Sequence, residues 1–177
     1  ALTLYDMLKP VDDDLEISST RLLDKKGGKS SYPAGAPADL KAAVIIVSDS
    51  VNAGTRNDTS GRQIVEALKQ WGVEQVDTVV VPDEEDRIIE ALRSQIDAGV
   101  GLVLTTGGTG LAPRDVTVEA TATVIEREAP GIVEAMRSYG QRRTPYSMLS
   151  RGLAGVAGDS IIVNLPGSPG GVADSMT

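Results

Sequence analysis

Strands and helices alternate along the middle of the chain, and this order constrains the fold more than any other feature. Apolar runs at residues 42–47, 77–81 and 101–105 predict three buried strands. Between them, apolar residues recur at helical spacing and predict one helix at about residues 61–71 and a second that ends at Gly99. Strand–helix–strand connections are right-handed and set the strands side by side. The order therefore predicts an α/β fold, a three-layer sandwich with a mostly parallel central sheet.

Four further elements are predicted after the third strand: helices at 116–128 and 132–140 and short strands at 153–157 and 160–164. A last helix then begins with Ser168 as its N-cap and Pro169 at its first position. The sequence ends at Thr177, about two turns into that helix, and helices this short are rarely stable without more length or packing. We therefore expect a domain that is incomplete at its C-terminus.

A connector rich in Gly, Ser, Pro and Ala separates this domain from a short N-terminal piece. The connector covers residues 25–39, which leaves residues 40–177 as the main domain and residues 1–24 as the piece before it. That piece is too small to fold alone. The sequence also begins with Ala rather than Met. We therefore expect the chain to belong to a longer protein.

The composition limits the chemistry that is available. The chain has no Cys and no His, which excludes thiolate and imidazole catalysts and metal sites built from them. A net charge of −8 makes a nucleic-acid partner unexpected. There is no apolar run of about 18 residues and no secretory signal pattern, so we expect a cytoplasmic protein without membrane contact. Carboxylates, hydroxyls, Lys, Arg, backbone amides and a hard cation such as Mg²⁺ remain.

Polar loops follow each of the three predicted strands, and such loops meet at one edge of a parallel sheet, where ligands bind. The third loop, TTGGTG at residues 105–110, brings backbone N–H groups and the hydroxyls of Thr106 and Thr109 close to an anion such as phosphate. A tight turn that simply requires glycine is the alternative. The loop lacks the Walker and dinucleotide-binding patterns.

Two aspartates stand beside this loop in the predicted topology. Asp83 follows the second strand and Asp115 follows the glycine loop. Two carboxylates from neighbouring strand ends suit a Mg²⁺ ion on a polyphosphate. The alternative is that each aspartate only caps the helix after it.

Two arginines are candidate phosphate clamps, because a guanidinium matches phosphate oxygens with a planar fork of donors. They are Arg114 and Arg151. Ordinary surface solvation is the alternative for both. Asp58 and Ser60, by contrast, are expected to cap the first helix.

Six blocks of this sequence together resemble the molybdopterin adenylyltransferase family, which is related to the G domain of gephyrin. The blocks include VSDSVNAGTRNDTSG, LTTGGTGLAPRDVTVEAT and TPYSMLSRGLAGVAG. Their positions are residues 47–61, 80–88, 104–121, 127–137, 144–158 and 161–172. The resemblance implies an enzyme of molybdenum cofactor biosynthesis that transfers AMP from MgATP to molybdopterin and releases pyrophosphate.

The resemblance also implies the residues of the site. Asp83 and Asp115 match the two aspartates that the family needs, and they are the tentative Mg²⁺ ligands. Together with the loops described above, the nucleotide- and pterin-binding set is Ser48, Asp49, Ser50, Thr106, Gly107, Gly108, Thr109, Gly110, Arg114, Ser147, Ser150, Arg151, Pro166, Gly167 and Ser168. A homotrimer or larger assembly, and contacts with other enzymes of the pathway, are implied as well.

The N-terminal piece is similar to the C-terminal tail of the cyclic pyranopterin monophosphate synthase family, whose fold is α+β. Asp6 and Lys9 match that family's active-site aspartate and lysine, although their i,i+3 spacing is also that of a surface ion pair. The resemblance implies a remnant of a bifunctional fusion.

Two other functions remain open. The domain could bind molybdopterin without turning over ATP, or the synthase activity could be the main one in a full-length form.

Overall fold

A computed structural model describes residues 36–177 and, before them, Met7, Leu8, Pro10, Val11 and Glu16. The chain divides into two units, of which the second, Gly35–Thr177, contains nearly all of the described residues. Asp6 and Lys9 lie outside the described residues, as does most of the connector predicted at residues 25–39.

One mixed sheet forms the centre of the second unit, with six strands in the order β2-β1-β3-β6-β5-β4. The strands are β1 (Lys41–Val47), β2 (Gln75–Val81), β3 (Leu102–Thr106), β4 (Arg127–Glu128), β5 (Ala154–Ala157) and β6 (Ser160–Leu165). The strands β1, β2, β3 and β6 run parallel, and β5 and β4 complete the edge as antiparallel strands. The mostly parallel sheet that the sequence predicts is confirmed.

Helices cover both faces of this sheet. They are α1 (Asp49–Asn52), α2 (Ser60–Gln70), α3 (Glu85–Asp97), α4 (Thr117–Ala122), α5 (Pro130–Gly140), a 3-10 helix (Pro145–Leu149) and α6 (Pro169–Ser175). Within the described part of the chain, none of the helices has the length and apolar character needed to cross a membrane.

The central strand β1 is buried on both faces because side chains alternate across a strand. Its residues 42, 44 and 46 pack with α2, α5 and α6, and residues 43, 45 and 47 pack with α3 and α4. Ile64 and Leu68 of α2 on one side, and Ile88 and Leu92 of α3 on the other, are fully buried. The three-layer sandwich is therefore confirmed.

The helix predicted at residues 116–128 is wrong in its second half. The helix α4 ends at Ala122, and Arg127–Glu128 form β4, which pairs with β5. A run of β-branched residues, from Thr123 to Ile125, disfavours helix continuation. The backbone N–H of Glu126 then donates to the carbonyl of Val156 at 2.8 Å. Pairing with the open edge of β5 thus prevails over helical periodicity.

Two helix starts test the capping predictions. Asp58 caps α2 as expected, because its carboxylate accepts the N–H groups of Gly61 and Arg62. The capping role of Ser60 is wrong, since Ser60 is the first helical residue and its hydroxyl donates to the carbonyl of Gly167. At the start of α6 the prediction is confirmed, with Ser168 as the N-cap and Pro169 following it.

Asn164 fixes the strand that leads into the glycine loop. It is fully buried on β6, and its amide donates to the hydroxyls of Thr105 (3.0 Å) and Thr121 (2.8 Å). Its carbonyl oxygen accepts the N–H of Leu153 at 3.1 Å. One side chain therefore joins β6, β3, α4 and the segment before β5, and holds the end of β3 in register.

Candidate active site

The loops after β1 and β2 are joined by two aspartates that bond to each other's backbone. The N–H of Asp49 donates to Oδ2 of Asp83 at 3.0 Å, and the N–H of Asp83 donates to Oδ1 of Asp49 at 2.9 Å. The carboxylate of Asp83 thus faces the neighbouring loop and not its own helix α3, whose N-cap is Glu84. The alternative that Asp83 only caps α3 is therefore wrong.

Arg114 places a positive charge on this aspartate pair. Its Nη2 lies 2.5 Å from Oδ2 of Asp49 and 2.9 Å from Oδ2 of Asp83. The hydrogen bond and the charge of Asp83, followed by the charge of Asp49, raise the pKa of Arg114 above its ordinary value. The guanidinium that was predicted to clamp phosphate is thus held by two carboxylates. The alternative of a merely solvated side chain is wrong.

Asp115, the next residue, closes its own loop. Its backbone N–H donates to the carbonyl of Ala112 at 2.9 Å, and its Oδ2 accepts the N–H of Ala112 at 2.8 Å. The same oxygen lies against Gly110, where an added Cβ would come within 2.8 Å of it. The N-cap of α4 is Val116, so the capping alternative for Asp115 is wrong. Through Arg114, this loop also contacts Asp83.

The glycine loop follows β3 and needs glycine for steric reasons at two positions. Gly107 and Gly108 have φ values of +105° and +62°, in the region that favours glycine. A Cβ on Gly107 would meet the carbonyl oxygen of Val47 at 2.2 Å, and one on Gly108 would meet Oγ1 of Thr117 at 2.2 Å. Packing alone therefore accounts for both glycines, and anion binding stays a separate prediction.

The hydroxyls of this loop differ from the expectation. Thr106 is 2% exposed, and its hydroxyl donates to the carbonyl of Pro166 at 2.8 Å. The hydroxyl proton of Thr106 is already bonded to an acceptor within the protein. The expectation that Thr106 donates to a phosphate is therefore wrong. Thr109 is also buried, at 5% exposure. For Thr109, unlike Thr106, no side-chain hydrogen bond to another described residue is found, so its hydroxyl and the backbone N–H groups of the loop remain the predicted donors.

The turn at residues 166–168 lies between two cavities. The smaller, of about 80 Å³, is lined by Ser48, Thr106, Gly107 and Gly167. The larger, of about 150 Å³, lies between α5, the 3-10 helix and α6 and is lined by Ser147, Ser150, Pro166 and Ser168, with Arg137 and Arg143. The structure thus brings these predicted residues together around one turn, in two groups.

Serines of the predicted set also hold local structure. Oγ of Ser48 accepts the N–H of Val51 and caps α1, and it lies 3.2 Å from Oγ of Ser50. The hydroxyl of Ser147 donates to the carbonyl of Arg137 at 3.1 Å. These side chains therefore shape the cavity walls through contacts with the protein itself.

Arg151 ties the glycine loop to the segment after the 3-10 helix. Its Nε donates to the carbonyl of Gly110 at 2.7 Å, its Nη2 donates to the carbonyl of Asp115 at 2.6 Å, and its Nη1 pairs with the carboxylate of Glu119. The hydrogen bond between the two side chains lowers the pKa of Glu119 and raises that of Arg151. The surface-solvation alternative for Arg151 is wrong.

Glu119 is the residue of this region that the sequence reasoning missed. A signal was present, because Glu119 follows Asp115 by four residues and belongs to the same RDVTVEA block. Across residues 36–177, by contrast, no group of three or more Asp or Glu side chains is arranged to hold a metal ion.

Comparison with known proteins places the chain among proteins of molybdenum cofactor biosynthesis. The chain is 40% identical over 176 residues to the "Molybdenum cofactor biosynthesis bifunctional protein" of Chlorobaculum tepidum, covering 99% of this chain but 55% of that protein. It is 39% identical over 140 residues to the "Molybdopterin adenylyltransferase" of Haemophilus influenzae, covering 77% of this chain and 71% of the relative. The chain therefore spans little more than half of its bifunctional relative.

A solved structure gives the same result at the level of the fold. The molybdopterin biosynthesis Mog protein from Mycobacterium ulcerans superposes with a TM-score of 0.74 at 43% identity, covering 77% of this chain and 90% of that one. Residues 43–177 match the family described as "Probable molybdopterin binding domain", which is three-quarters of the chain and includes every predicted site residue of the main domain. This chain belongs to that family.

Proposed function

We propose that this chain transfers AMP from MgATP to molybdopterin and releases pyrophosphate. A terminal phosphate oxygen of molybdopterin attacks the α-phosphorus of ATP, and the bond from that phosphorus to the pyrophosphate oxygen breaks. The names of relatives such as the Haemophilus influenzae adenylyltransferase support this assignment. The structural observation that carries it is the meeting of Asp49, Asp83 and Arg114 on loops that adjoin the glycine loop.

The carboxylates fit a magnesium ion that arrives with the nucleotide. Mg²⁺ prefers oxygen ligands and is usually bound by one or two carboxylates together with substrate phosphates. Asp83 and Asp115 offer such oxygens on contacting loops, and the lack of a three-carboxylate group in the described residues suits a shared site better than an all-protein cage. Bound there, the ion would neutralise charge on the phosphates.

Backbone N–H groups of the glycine loop are the proposed donors to the phosphates. For Gly108, Thr109 and Gly110, no hydrogen bond from the backbone N–H to another described residue is found. Adjacent amides of this kind form an anion-binding concavity and can stabilise charge on a transferred phosphorus. This proposal replaces the Thr106 hydroxyl, which is bonded to Pro166.

Arg114 has a double role in this proposal. Without a cation it offsets the repulsion between the Asp49 and Asp83 carboxylates. MgATP brings both a competing cation and phosphate oxygens that match a guanidinium. Arg114 then gives up its contact with a carboxylate and binds a phosphate oxygen instead. In this way the observed ion pairs and the predicted phosphate contact of Arg114 are both accounted for.

The two cavities are smaller than a typical ligand pocket, and we propose that each holds part of one substrate, on either side of the turn at residues 166–168. The wall of the larger cavity includes Ser147, Ser150 and Arg143, and Arg143 is paired there with Asp174. The smaller cavity opens between Ser48 and the glycine loop. The turn itself, packed against Gly107, would then lie close to the reacting phosphates.

For the whole protein we propose a cytoplasmic, bifunctional enzyme whose N-terminal part is a cyclic pyranopterin monophosphate synthase. The bifunctional relative, of which this chain spans 55%, supports a longer protein. We also propose a homotrimer, which the family resemblance implies, and the apolar side chains that the 3-10 helix exposes, Tyr146, Met148 and Leu149, are its candidate contact surface. Light scattering of the purified protein tests the assembly, and a monomeric mass would contradict it.

Incubation of the purified chain with MgATP and molybdopterin tests the proposed activity. We expect pyrophosphate release that requires both substrates and Mg²⁺, together with adenylylated molybdopterin in the mass spectrum. Tight molybdopterin binding without pyrophosphate release would favour the non-catalytic binding module instead.

A further inference from the structure

We infer that Glu119 is a positioning residue for the proposed transfer reaction, acting through Arg151 on Asp115 and the glycine loop without touching either substrate. This inference rests on the proposed function. It also assigns Arg151 a different task from phosphate binding.

The guanidinium of Arg151 is committed to protein acceptors. Its nitrogens make four hydrogen bonds, one each to the carbonyls of Gly110 and Asp115 and two to the carboxylate of Glu119. The backbone N–H of Arg151 also donates to the carbonyl of Thr109 at 2.9 Å. Because most N–H groups of this guanidinium already donate to protein acceptors, few remain to bind a phosphate.

These contacts set the span of the loop that carries Asp115. One guanidinium binds the first residue of the loop, Gly110, at 2.7 Å and its last residue, Asp115, at 2.6 Å. No regular helix or strand lies between them. The separation of the proposed phosphate-binding amides from the proposed metal ligand therefore depends on where this guanidinium sits.

Glu119 determines that position. It lies on α4, one turn beyond Asp115, and receives two nitrogens of Arg151 on its two carboxylate oxygens. A two-point contact between a carboxylate and a guanidinium fixes the plane of the arginine as well as its distance. The hydrogen bond from Arg151 lowers the pKa of Glu119, which extends the ionised range of this carboxylate below its ordinary value of 4.5. Without Glu119, carbonyl acceptors alone would hold an arginine that is one-third exposed, at 33%.

Steady-state kinetics of Glu119→Gln test the inference. We expect kcat to fall roughly 10- to 100-fold, because a displacement of about 1 Å at a reacting group costs this much. The KM for ATP should stay within about twofold, since in this inference Glu119 touches neither substrate. Glu119→Asp, which keeps the charge, should recover part of the loss. The matched control is Glu90→Gln, which breaks the exposed Arg87–Glu90 pair on α3 and should leave kcat unchanged.

A double-mutant cycle separates positioning from a general loss of stability. Arg151→Ala should lower kcat, and adding Glu119→Gln to it should cost little more, because the two side chains act as one unit. Fully additive losses would overturn the inference. So would a kcat of Glu119→Gln within twofold of wild type, or a raised KM at unchanged kcat. If Glu119→Gln does not fold, Glu119→Asp and Arg151→Lys carry the same comparison.

Amide hydrogen exchange tests the effect of Glu119 on the loop without a measurement of turnover. Amides of residues 110–115 should exchange faster in Glu119→Gln than in wild type and should not change in Glu90→Gln. A wild-type protein that forms no pyrophosphate would overturn the proposed function. In that event, faster exchange in Glu119→Gln would still support the contact with the loop, and unchanged exchange would overturn it.

Discussion

Asp49 and Asp83, 34 residues apart in the chain, each accept a hydrogen bond from the backbone N–H of the other. This exchange locks together the loops that follow two neighbouring parallel strands. It uses one carboxylate oxygen of each residue, Oδ1 of Asp49 and Oδ2 of Asp83. An asparagine at either position can still accept through its amide oxygen, so charge and hydrogen bonding can be separated by mutation.

The first prediction follows from that separation. Asp83→Asn and Asp115→Asn should each keep the fold but lower adenylylation by about 100-fold or more, because loss of a proposed metal-binding carboxylate would remove several kcal/mol of transition-state stabilisation. Pyrophosphate release measures the activity, and circular dichroism checks the fold. Near-normal turnover in both variants would eliminate the proposed roles.

Arg114→Gln should bind a divalent cation more tightly in the absence of nucleotide. The guanidinium competes with the cation for the carboxylates of Asp49 and Asp83, and its removal frees them. Titration with Mn²⁺, followed by electron paramagnetic resonance, should give a several-fold lower Kd than wild type. Arg87→Gln, which alters a remote ion pair, is the control. An unchanged or weaker Kd in Arg114→Gln would show that no such competition exists.

Gly107→Ala should destabilise the protein by about 1–3 kcal/mol or more, because a φ of +105° strains any other residue and the new Cβ would meet a carbonyl oxygen at 2.2 Å. The control is Gly131→Ala, where no atom lies within 4 Å of the added Cβ. That position is in α5, so alanine should be neutral or stabilising by up to about 1 kcal/mol. Urea unfolding measures both, and equal midpoints would refute the steric account.

The pair of Glu119 and Arg151 should give stability a pH dependence. The folded-state pKa of Glu119 is lowered from 4.5, so its contribution is fully present above that pH and is lost as the pH falls through the folded-state pKa. The free energy of unfolding of wild type should exceed that of Glu119→Gln by less than about 1 kcal/mol at pH 7, because the pair is partly exposed. The difference should shrink below about pH 4.5. A difference that is equal at pH 7 and pH 3.5 would contradict this.

The layers of the fold were accessible from sequence because they depend on local patterns. Continuous apolar runs predicted β1 and β3, and a helical stripe predicted α2, each within a few residues of the observed bounds. Burial on both faces of a parallel strand requires such runs. The strand β4 was missed, because its two residues have no pattern of their own and depend on the open edge of β5.

The sequence by itself determined which residues could form the site, because Asp83, Asp115 and the glycines follow strands whose carboxyl ends share one edge of the sheet. Only the tertiary structure decided their partners. The contacts of Arg114 span 31 and 65 residues, and those of Arg151 reach 32 residues back to Glu119. Such pairings depend on the strand order, which sets β1 between β2 and β3, and on the direction of each side chain. Local periodicity indicates only which face of a single helix or strand is buried. It therefore predicts neither the order of the strands nor which side chains meet across them.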